Sequence, residues 1–300
     1  MKRILVVGSL NMDHVAKVDH IVREGETILA TDFSKSPGGK GANQAYAIGK
    51  LGGQIAMLGA VGTDDDGNAL IRSLNSVGVD TDGMMRCADA PTGTAWISVD
   101  RNGSNSITVI PGANMKVDTS YIDEHINAIE SADIVIMQLE IPLATVVYTA
   151  RLAKSMGKYV ILDPAPAIPD LPEELYGYVD LLKPNETELS ILAGVSADDT
   201  DYLKKVNILR QRGAADMLVS LGGDGVLMSL AGQEDRMIPS IRVEAVDTTA
   251  AGDSFVAGLA VKLAEDRDVF EAIDYAQKVA AIAVTRKGAQ PSIPSPEEVK

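Results

Sequence analysis

The chain has 300 residues, a formal net charge of −15 and a hydrophobic fraction of 46%. This length can form one or two domains, and the composition is typical of a globular protein in water. The negative charge argues against nucleic acid or an anionic membrane as a partner. It does not exclude a small anionic ligand, because backbone N–H groups can bind an anion locally.

Cysteine content and apolar run length predict a cytoplasmic protein. A single cysteine, Cys87, excludes an internal disulfide and fits a reducing compartment. No apolar run approaches the roughly 18 residues of a membrane helix. The first apolar run is interrupted at Asn11 and Asp13, which is too early for a signal peptide, so we interpret it as a buried first strand.

Short apolar runs alternate with helical segments along the chain. The predicted strands are residues 4–7, Ile134–Met137, Tyr159–Leu162, Leu181–Leu182 and 217–220. The predicted helices are residues 42–51, 143–156, 203–212 and 270–284, each with a glycine at or shortly after its end. This alternation predicts an α/β fold with a mostly parallel central sheet and helices on both faces.

Two stretches, at about residues 12–37 and 92–111, break the alternation. Residues 14–35 and 92–110 have β-type patterning, and Asn102-Gly103 stands where a hairpin turn would lie. We expect these stretches to form a small β-sheet lid outside the main sheet. No repeat or linker divides the sequence, so residues 1–300 are expected to form a single domain.

Polar clusters follow five of the predicted strands. They are residues 8–13, 138–140, 163–166, 183–188 and 220–225. Each cluster alone is compatible with a turn. Ligands of open α/β sheets bind at the carboxyl ends of the strands, so five clusters on one edge predict a ligand cleft.

Residues 247–255 are the most informative segment, because they indicate a loop that enters a helix with Asp253 in the first turn. A helix N-terminus binds anions through free N–H groups, and the small residues Ala250, Ala251 and Gly252 would let a phosphate approach them closely. Asp253 would then lie where a base for an attacking hydroxyl is needed. A helix N-cap explains this aspartate equally well from the segment alone.

Several competing motifs are absent from the sequence. Residues 34–41 are not a P-loop, because Ser34 replaces the first glycine and Gly41 replaces the Ser/Thr after the lysine. No G-x-G-x-x-G motif follows a predicted strand, and neither G-x-S-x-G nor H-E-x-x-H occurs. The three histidines and Cys87 show no metal-ligand spacing.

The chain resembles the ribokinase-like (PfkB) carbohydrate kinases in motifs that span nearly its whole length. The family's glycine-rich signature is similar to residues 38–45, its D-T-x-G-A-G-D signature to residues 247–253, and its N-x-x-E motif to residues 185–188. Residues 8–13, 137–140 and 285–291 also fit the family. Two positions depart from its pattern: Ala250 replaces a glycine, and Gln277 replaces the asparagine or histidine that many relatives carry near the adenine.

The resemblance implies an ATP-dependent kinase that phosphorylates the primary 5-hydroxyl of D-ribose, with Mg²⁺ and with K⁺ as activator. It implies Asp253 as the base, with the N–H groups of Ala250, Ala251, Gly252 and Asp253 holding the developing charge. The implied sugar ligands are Asn11, Asp13, Gly39, Lys40, Asn43 and Glu140. The implied ATP and Mg²⁺ residues are Asn185, Glu188, Ser220, Gly222, Gly225 and Gln277. The implied K⁺ ligands are Asp247, Thr249, Ser292 and the carbonyls of Ala283, Arg286 and Gly288.

Structural roles remain alternatives for several of these residues. Asn11 and Asp13 could form a turn, Asn185 and Glu188 a helix cap, and residues 223–225 a hairpin turn. Another kinase of the family, for deoxyribose, fructose or a nucleoside, is the alternative within the class, and a non-catalytic sugar- or nucleotide-binding protein is the alternative outside it. We also expect a homodimer through the lid, because a small sheet with an apolar face needs a covering surface.

Overall fold

The computed structural model describes residues 1–299, which are built around an eight-stranded sheet. The strands are β1 (Arg3–Val7), β2 (Asn11–Lys17), β3 (Asp32–Gly38), β4 (Gln54–Leu58), β5 (Ala60–Gly62), β6 (Met85–Cys87), β7 (Gly93–Val99), β8 (Asn105–Ile110), β9 (Ile134–Met137), β10 (Tyr159–Leu162), β11 (Leu181–Leu182), β12 (Asp216–Ser220), β13 (Val226–Ser229) and β14 (Arg236–Ile238).

The helices are α1 (Lys40–Lys50), α2 (Asp65–Ser76), α3 (Thr119–Glu124), α4 (Ile126–Ser131), α5 (Leu143–Ser155), α6 (Glu173–Tyr178), α7 (Glu186–Ala193), α8 (Tyr202–Gln211), α9 (Ala251–Ala264) and α10 (Val269–Val284). Short 3₁₀ turns cover Gly112–Lys116, Gly222–Asp224, Gln290–Ser292 and Pro296–Glu298. Among residues 1–299, no helix combines the length and apolar character that crossing a membrane requires.

The central sheet has the strand order β14-β13-β12-β11-β10-β9-β1-β4. Its strands pair in parallel from β4 to β12, and only β13 and β14 run antiparallel to their neighbours. The five strands predicted from sequence are confirmed as β1, β9, β10, β11 and β12. The prediction did not include β4, β13 or β14.

The strands of the sheet are apolar on both faces because helices cover both. Ile4 and Val6 of β1 pack into a cluster with residues of α1, α2, α9 and α10. Leu5 and Val7, which point the opposite way, pack with residues of α3 to α8. The predicted fold class, a mostly parallel sheet with helices on both faces, is therefore confirmed.

The strand order reverses at β1. The chain proceeds from β1 to β4 on one side and later returns to β9 on the other. In open α/β sheets the ligand crevice lies outside the carboxyl ends of the strands at such a switch point. Here, Gly8 and Ser9 follow β1, and Gln138 to Glu140 follow β9.

A separate four-stranded sheet, which we call the lid, has the order β3-β2-β7-β8. It is formed from the two stretches that broke the sequence alternation, and their prediction as strands outside the main sheet is confirmed. The β pattern predicted over residues 14–35 was too long, because residues 18–31 connect β2 to β3 without strand structure. Only residues 8–10 separate β1 from β2, so the lid starts at the switch point.

One face of the lid carries both polar and apolar side chains. The register pairs Asp13 with Ala95 and Ala95 with Val109, so these side chains share a face with Asn11 and Ile107. Ile107 is 56% exposed and Val109 is 46% exposed. This face therefore presents apolar surface beside the polar groups at the start of β2.

Candidate active site

A cavity of about 800 Å³ opens at the carboxyl edge of the central sheet. All the residues predicted to bind ATP line it: Asn185, Glu188, Ser220, Gly222, Gly225 and Gln277. The loop at the start of α9 that was predicted to bind an anion, which we call the anion-binding loop, also lines it with Ala250, Ala251, Gly252 and Asp253. Ligand pockets typically enclose roughly 300–1,000 Å³. The structure therefore places ten sequence-predicted residues around one cavity of suitable size.

The loop before α9 has the geometry of an anion site. Ala250 is the N-cap residue and adopts the left-handed conformation, with φ 60° and ψ 16°. Gly252 and Asp253 lie in the first helical turn, where N–H groups have no partner within the helix. A Cβ atom at Gly252 would lie only 3.1 Å from Lys183 Nζ, so a buried ammonium group stands beside these N–H groups.

Asp253 is buried in the cavity wall, and two amide groups hold its carboxylate. Asn43 Nδ2 donates to Oδ2 at 3.1 Å, and Gln44 Nε2 donates to Oδ1 at 3.0 Å. Burial raises the pKa of Asp253 above its usual value, and the charge of Asp163 adds to this effect, while Lys40 and the two amides oppose it. Asp253 has no side-chain bond to a helix N–H, so it is not the N-cap that the sequence also allowed.

Lys40 lies among the carboxylates of the site. Burial lowers the pKa of Lys40, but Asp253, Asp163, Glu140 and Glu188 raise it more, so the net shift is upward. The ammonium group therefore stays charged. The residues predicted to bind sugar are otherwise outside the cavity lining, and only Lys40 belongs to both sets.

The remaining predicted sugar ligands gather at the carboxyl end of β1. Glu140 Oε2 accepts hydrogen bonds from Ser9 Oγ and, at 3.1 Å, from Lys40 N. Asn11 Oδ1 accepts from Asn114 Nδ2 at 2.8 Å. Gly39 has φ 87°, and a Cβ atom there would lie 2.6 Å from Asn11 N, so only glycine allows this approach.

Asp13 completes this group from the lid. A Cβ atom at Gly38 would lie 2.2 Å from Asp13 Oδ2, which places the carboxylate directly against the glycine-rich segment. Burial and the nearby charges of Glu140 and Asp253 raise the pKa of Asp13 to about 7. Asp13 lies within β2, so the turn that the sequence left open is not its role.

Asn185 and Glu188 form a helix cap and also line the cavity. Glu188 N donates to Asn185 Oδ1 at 2.8 Å, and Asn185 N donates to Glu188 Oε2 at 2.7 Å. This capping box confirms the structural alternative for the pair. Burial and the charge of Asp163 raise the pKa of Glu188.

The glycines after β12 form the turn that leads into antiparallel β13. The hairpin alternative for residues 223–225 is therefore confirmed. Ser220, Gly222 and Gly225 still face the cavity. Gln277, on α10, also faces it, and its buried Nε2 has no acceptor within residues 1–299.

The residues predicted to bind K⁺ lie beside the cavity rather than in its wall. Asp247 Oδ1 accepts from Thr249 N at 2.9 Å and from Thr249 Oγ1 at 2.6 Å, and Asp247 Oδ2 accepts from Gly288 N at 2.8 Å. Burial raises the pKa of Asp247, but these bonds lower it below its usual value. The loop before α9 and the segment after α10 are thereby held together; the latter contains Arg286, Gly288 and Ser292 and follows Ala283.

Comparison with known proteins gives the family. The profile described as pfkB family carbohydrate kinase matches residues 1–296. The chain belongs to the pfkB family of carbohydrate kinases.

Individual members of the family match over almost the whole chain. Ribokinase of Haemophilus influenzae is 39% identical over 298 residues, which cover 99% of this chain and 97% of the relative. Deoxyribokinase of Salmonella typhi is 37% identical over 296 residues, which cover 98% and 96%. The solved structure of Arabidopsis thaliana ribokinase complexed with ribose and ATP has a TM-score of 0.92 and 34% identity, and the match covers 99% of this chain and 97% of that one.

Several residues at the site of this pfkB kinase were not assigned a role from sequence. Asp163 and Lys183 both line the cavity, and the polar clusters after the strands already contained them. Gln44 contacts Asp253 and lies inside the glycine-rich signature. The loop with Ile241, Arg242 and Val243 also lines the cavity, but it has no periodicity or motif that could have marked it.

Proposed function

We propose that the protein transfers the γ-phosphoryl group of ATP to the primary 5-hydroxyl of D-ribose. The observation that carries this proposal is the position of Asp253. Its buried carboxylate lies between the predicted sugar ligands and a cavity whose wall includes the N-terminus of α9. A base, an anion site and a hydroxyl-binding group are thus adjacent, which is the arrangement that phosphoryl transfer requires.

Asp253 would act as the general base. Its carboxylate would accept the proton of the 5-hydroxyl while that oxygen bonds to the γ-phosphorus and the bond from this phosphorus to the ADP oxygen breaks. The N–H groups of Ala250, Gly252 and Asp253 and the ammonium groups of Lys40 and Lys183 would stabilise the negative charge on the transferred group. The Ala251 N–H, which was also predicted to take part, instead donates to Thr248 O at 3.2 Å. The raised pKa of Asp253 favours this role, because a more basic carboxylate accepts a proton more readily.

The sugar would bind at the carboxyl end of β1. Asn11, Asp13 and Glu140 offer oxygen acceptors, and Lys40 and Asn43 offer donors, as vicinal hydroxyls require. Asn43 also contacts Asp253, so the group that orients the sugar would also lie beside the base.

The cavity fits ATP in size and chemistry. Gln277 Nε2 is a buried donor without a partner in the described part of the chain, and it faces the cavity where a base edge could satisfy it. Ser220, Gly222 and Gly225 would line the nucleotide path. Arg242 and Lys183 add positive charge to a protein whose net charge is −15.

Mg²⁺ and K⁺ are the proposed ions. Across residues 1–299 no group of three or more His, Cys, Asp or Glu side chains could hold a metal. Mg²⁺ is commonly held by one or two carboxylates together with waters and substrate phosphates, and Glu188 with Asn185 fits that pattern. When bound, Mg²⁺ would neutralise phosphate charge. Asp247, Thr249, Ser292 and the carbonyls of Ala283, Arg286 and Gly288 would hold K⁺, which would order the adjacent anion-binding loop.

We further propose a cytoplasmic homodimer whose subunits meet through the apolar face of the lid. Exposed Ile107 and Val109 support this assembly. We also propose that the chain forms one domain, because helices on both faces pack on one sheet. Lys300 lies outside the described residues.

Replacing Asp253 by asparagine tests the proposed reaction. The change preserves size and removes the base, so we expect kcat for ribose to fall by about 10²–10⁴-fold while sugar binding is retained. The measurement is ADP release coupled to a spectroscopic readout, with ribose binding followed by calorimetry. Near-full activity of the purified variant would show that Asp253 is not the base.

Deoxyribose phosphorylation is the second candidate, because the relative from Salmonella typhi is named deoxyribokinase. We expect ribose to be preferred, since a site built to bond adjacent hydroxyls rejects a sugar that lacks one by up to about 10⁴-fold. Asp13→Ala should raise KM for ribose and reduce the difference in kcat/KM between ribose and deoxyribose. The measurement is kcat/KM for both sugars in both proteins. A wild-type preference for deoxyribose would favour the second candidate, and an unchanged ratio in the variant would remove Asp13 from the sugar site.

A further inference from the structure

Gln44 joins four elements of the fold behind the proposed base. It lies on α1 and is fully buried. Its Nε2 donates to Asp253 Oδ1 on α9 at 3.0 Å and to Asp163 Oδ2 after β10 at 2.8 Å. Its Oε1 accepts from Gln138 Nε2, after β9, at 2.6 Å. Every polar atom of the Gln44 side chain is therefore engaged, and two of its three bonds go to carboxylates.

The contacts permit only one orientation of the Gln44 amide. If the amide were rotated by half a turn, Oε1 would face two carboxylates and Nε2 would face the Gln138 donor. The Gln138 amide is fixed in turn, and its own Oε1 is buried with no donor among residues 1–299. A buried acceptor without a donor is costly. The orientation of the Gln44 amide is therefore maintained although Gln138 Oε1 is left without a hydrogen bond.

A neutral amide is the suitable chemistry for this position. A lysine here could also bond both carboxylates, but its charge would suppress the basicity of Asp253. An amide donates hydrogen bonds and does not accept the proton that Asp253 would take from the sugar. Gln44 can thus restrain the carboxylate without exchanging protons with it.

We propose that Gln44 is a positioning residue for Asp253, held in place by Gln138 and Asp163, an inference that rests on the proposed function of Asp253 as the base. Gln44 fixes Oδ1 of Asp253 and so sets the plane of the carboxylate. Oδ2, beside Asn43, is then the oxygen that faces the sugar hydroxyl. Gln44 itself is not placed in contact with sugar or ATP.

The variant Gln44→Met tests this role because methionine has nearly the same length and no amide. A small misplacement of a catalytic group can reduce turnover by about 10²-fold, so we expect a loss of that order in kcat. KM for ribose and for ATP should each change by less than about threefold, since neither substrate loses a ligand. The acid limb of the kcat–pH profile should move to higher pH, because the Gln44 hydrogen bond lowers the pKa of Asp253.

Three further variants make the result decisive. Gln54→Met, at the exposed start of β4, is the matched control and should leave kcat and the pH profile unchanged. Gln138→Leu removes the donor to Gln44 Oε1 together with the unpaired Gln138 Oε1, leaves both bonds from Gln44 to the carboxylates, and should lower kcat by a smaller factor at constant KM. It provides the test if Gln44→Met does not fold. Asp253→Asn is measured in parallel. If Asp253→Asn is inactive while Gln44→Met keeps the wild-type kcat and the wild-type acid limb of the pH profile, the inference about Gln44 is wrong but Asp253 is still supported as the base. If Asp253→Asn is active, the assignment of Asp253 as the base is wrong.

Discussion

Among the predicted sugar ligands, Asp13 has an environment whose effect on ionisation should change sugar binding. Burial and the charges of Glu140 and Asp253 raise its pKa to about 7. An ionised carboxylate accepts hydrogen bonds through both oxygens, whereas a protonated one has a donor where one acceptor was. Ribose recognition should therefore depend on pH near neutrality, although ordinary aspartates are fully ionised there.

We expect KM for ribose to rise as the pH falls through about 7. Because the pKa is raised, Asp13 is mostly protonated one pH unit below it, and KM should increase by about tenfold between pH 8 and pH 6. Asp13→Asn should have a high KM that is nearly flat over this range. Asp32→Asn, an exposed lid carboxylate, is the control. A flat wild-type profile, or the same slope in Asp13→Asn, would contradict the assignment.

At the scale of elements, the N-cap residue of α9 has an energetically unfavourable backbone conformation. Ala250 has φ 60°, and alanine in the left-handed region costs roughly 1–2 kcal/mol relative to the right-handed helix. Its N–H group belongs to the anion-binding loop, and a glycine would keep that group. The departure from the family signature at Ala250 is therefore a strained position rather than a neutral replacement.

Ala250→Gly should raise the free energy of unfolding by about 1 kcal/mol, because glycine adopts φ > 0 without steric cost and this gain exceeds the added flexibility of the unfolded chain. Ala251→Gly, one residue further and inside the helix, should lower it. Urea denaturation of both variants measures the difference. Destabilisation of similar size in both would show that Ala250 is not strained.

Elements defined by local pattern were predictable from sequence, and elements defined by partners were not. β1 and β9 to β12 are short apolar runs that end at polar clusters, so their buried position could be predicted from sequence. β14 has exposed Arg236 and Met237 and forms only because β13 is beside it. β2 and β3 were recognised as strands, but the length of their connection was not, since residues 18–31 lack a pattern that opposes strand formation.

The same division holds for the site. The loop before α9 was predictable from sequence because small residues precede a carboxylate at the start of a helix. The role of the Gln44 amide was not predictable, because it depends on Asp163 and Gln138, which lie about a hundred residues away in the sequence and contact Gln44 only in the folded sheet. Likewise, Ile241 and Arg242 line the cavity because of the path that the chain takes after β14, which no local pattern in the sequence indicates.

At the scale of the whole molecule, the lid raises the question of assembly. Ile107 and Val109 are exposed on the face that also carries Asp13. We expect wild type to be a dimer at micromolar concentration, with twice the chain mass of 31.6 kDa. Ile107→Asp should yield monomers, because a charge on an apolar interface is poorly solvated there. Light scattering checks this, and Leu203→Asp on exposed α8 is the control. A monomeric wild type would contradict the dimer without affecting the kinase proposal.

The short passage from β1 into β2 has a further consequence. Residues 8–10 are the whole connection between β1 of the main sheet and β2 of the lid, and Ser9 within it donates a hydrogen bond to Glu140. Asn11 and Asp13 belong to the lid strand that follows. Any rocking of the lid must therefore carry these two side chains with it, while Asp253 stays on α9. A sugar that lacks a hydroxyl would leave the two halves of the site imperfectly aligned, so discrimination between sugars should appear in the rate of turnover as well as in the strength of binding.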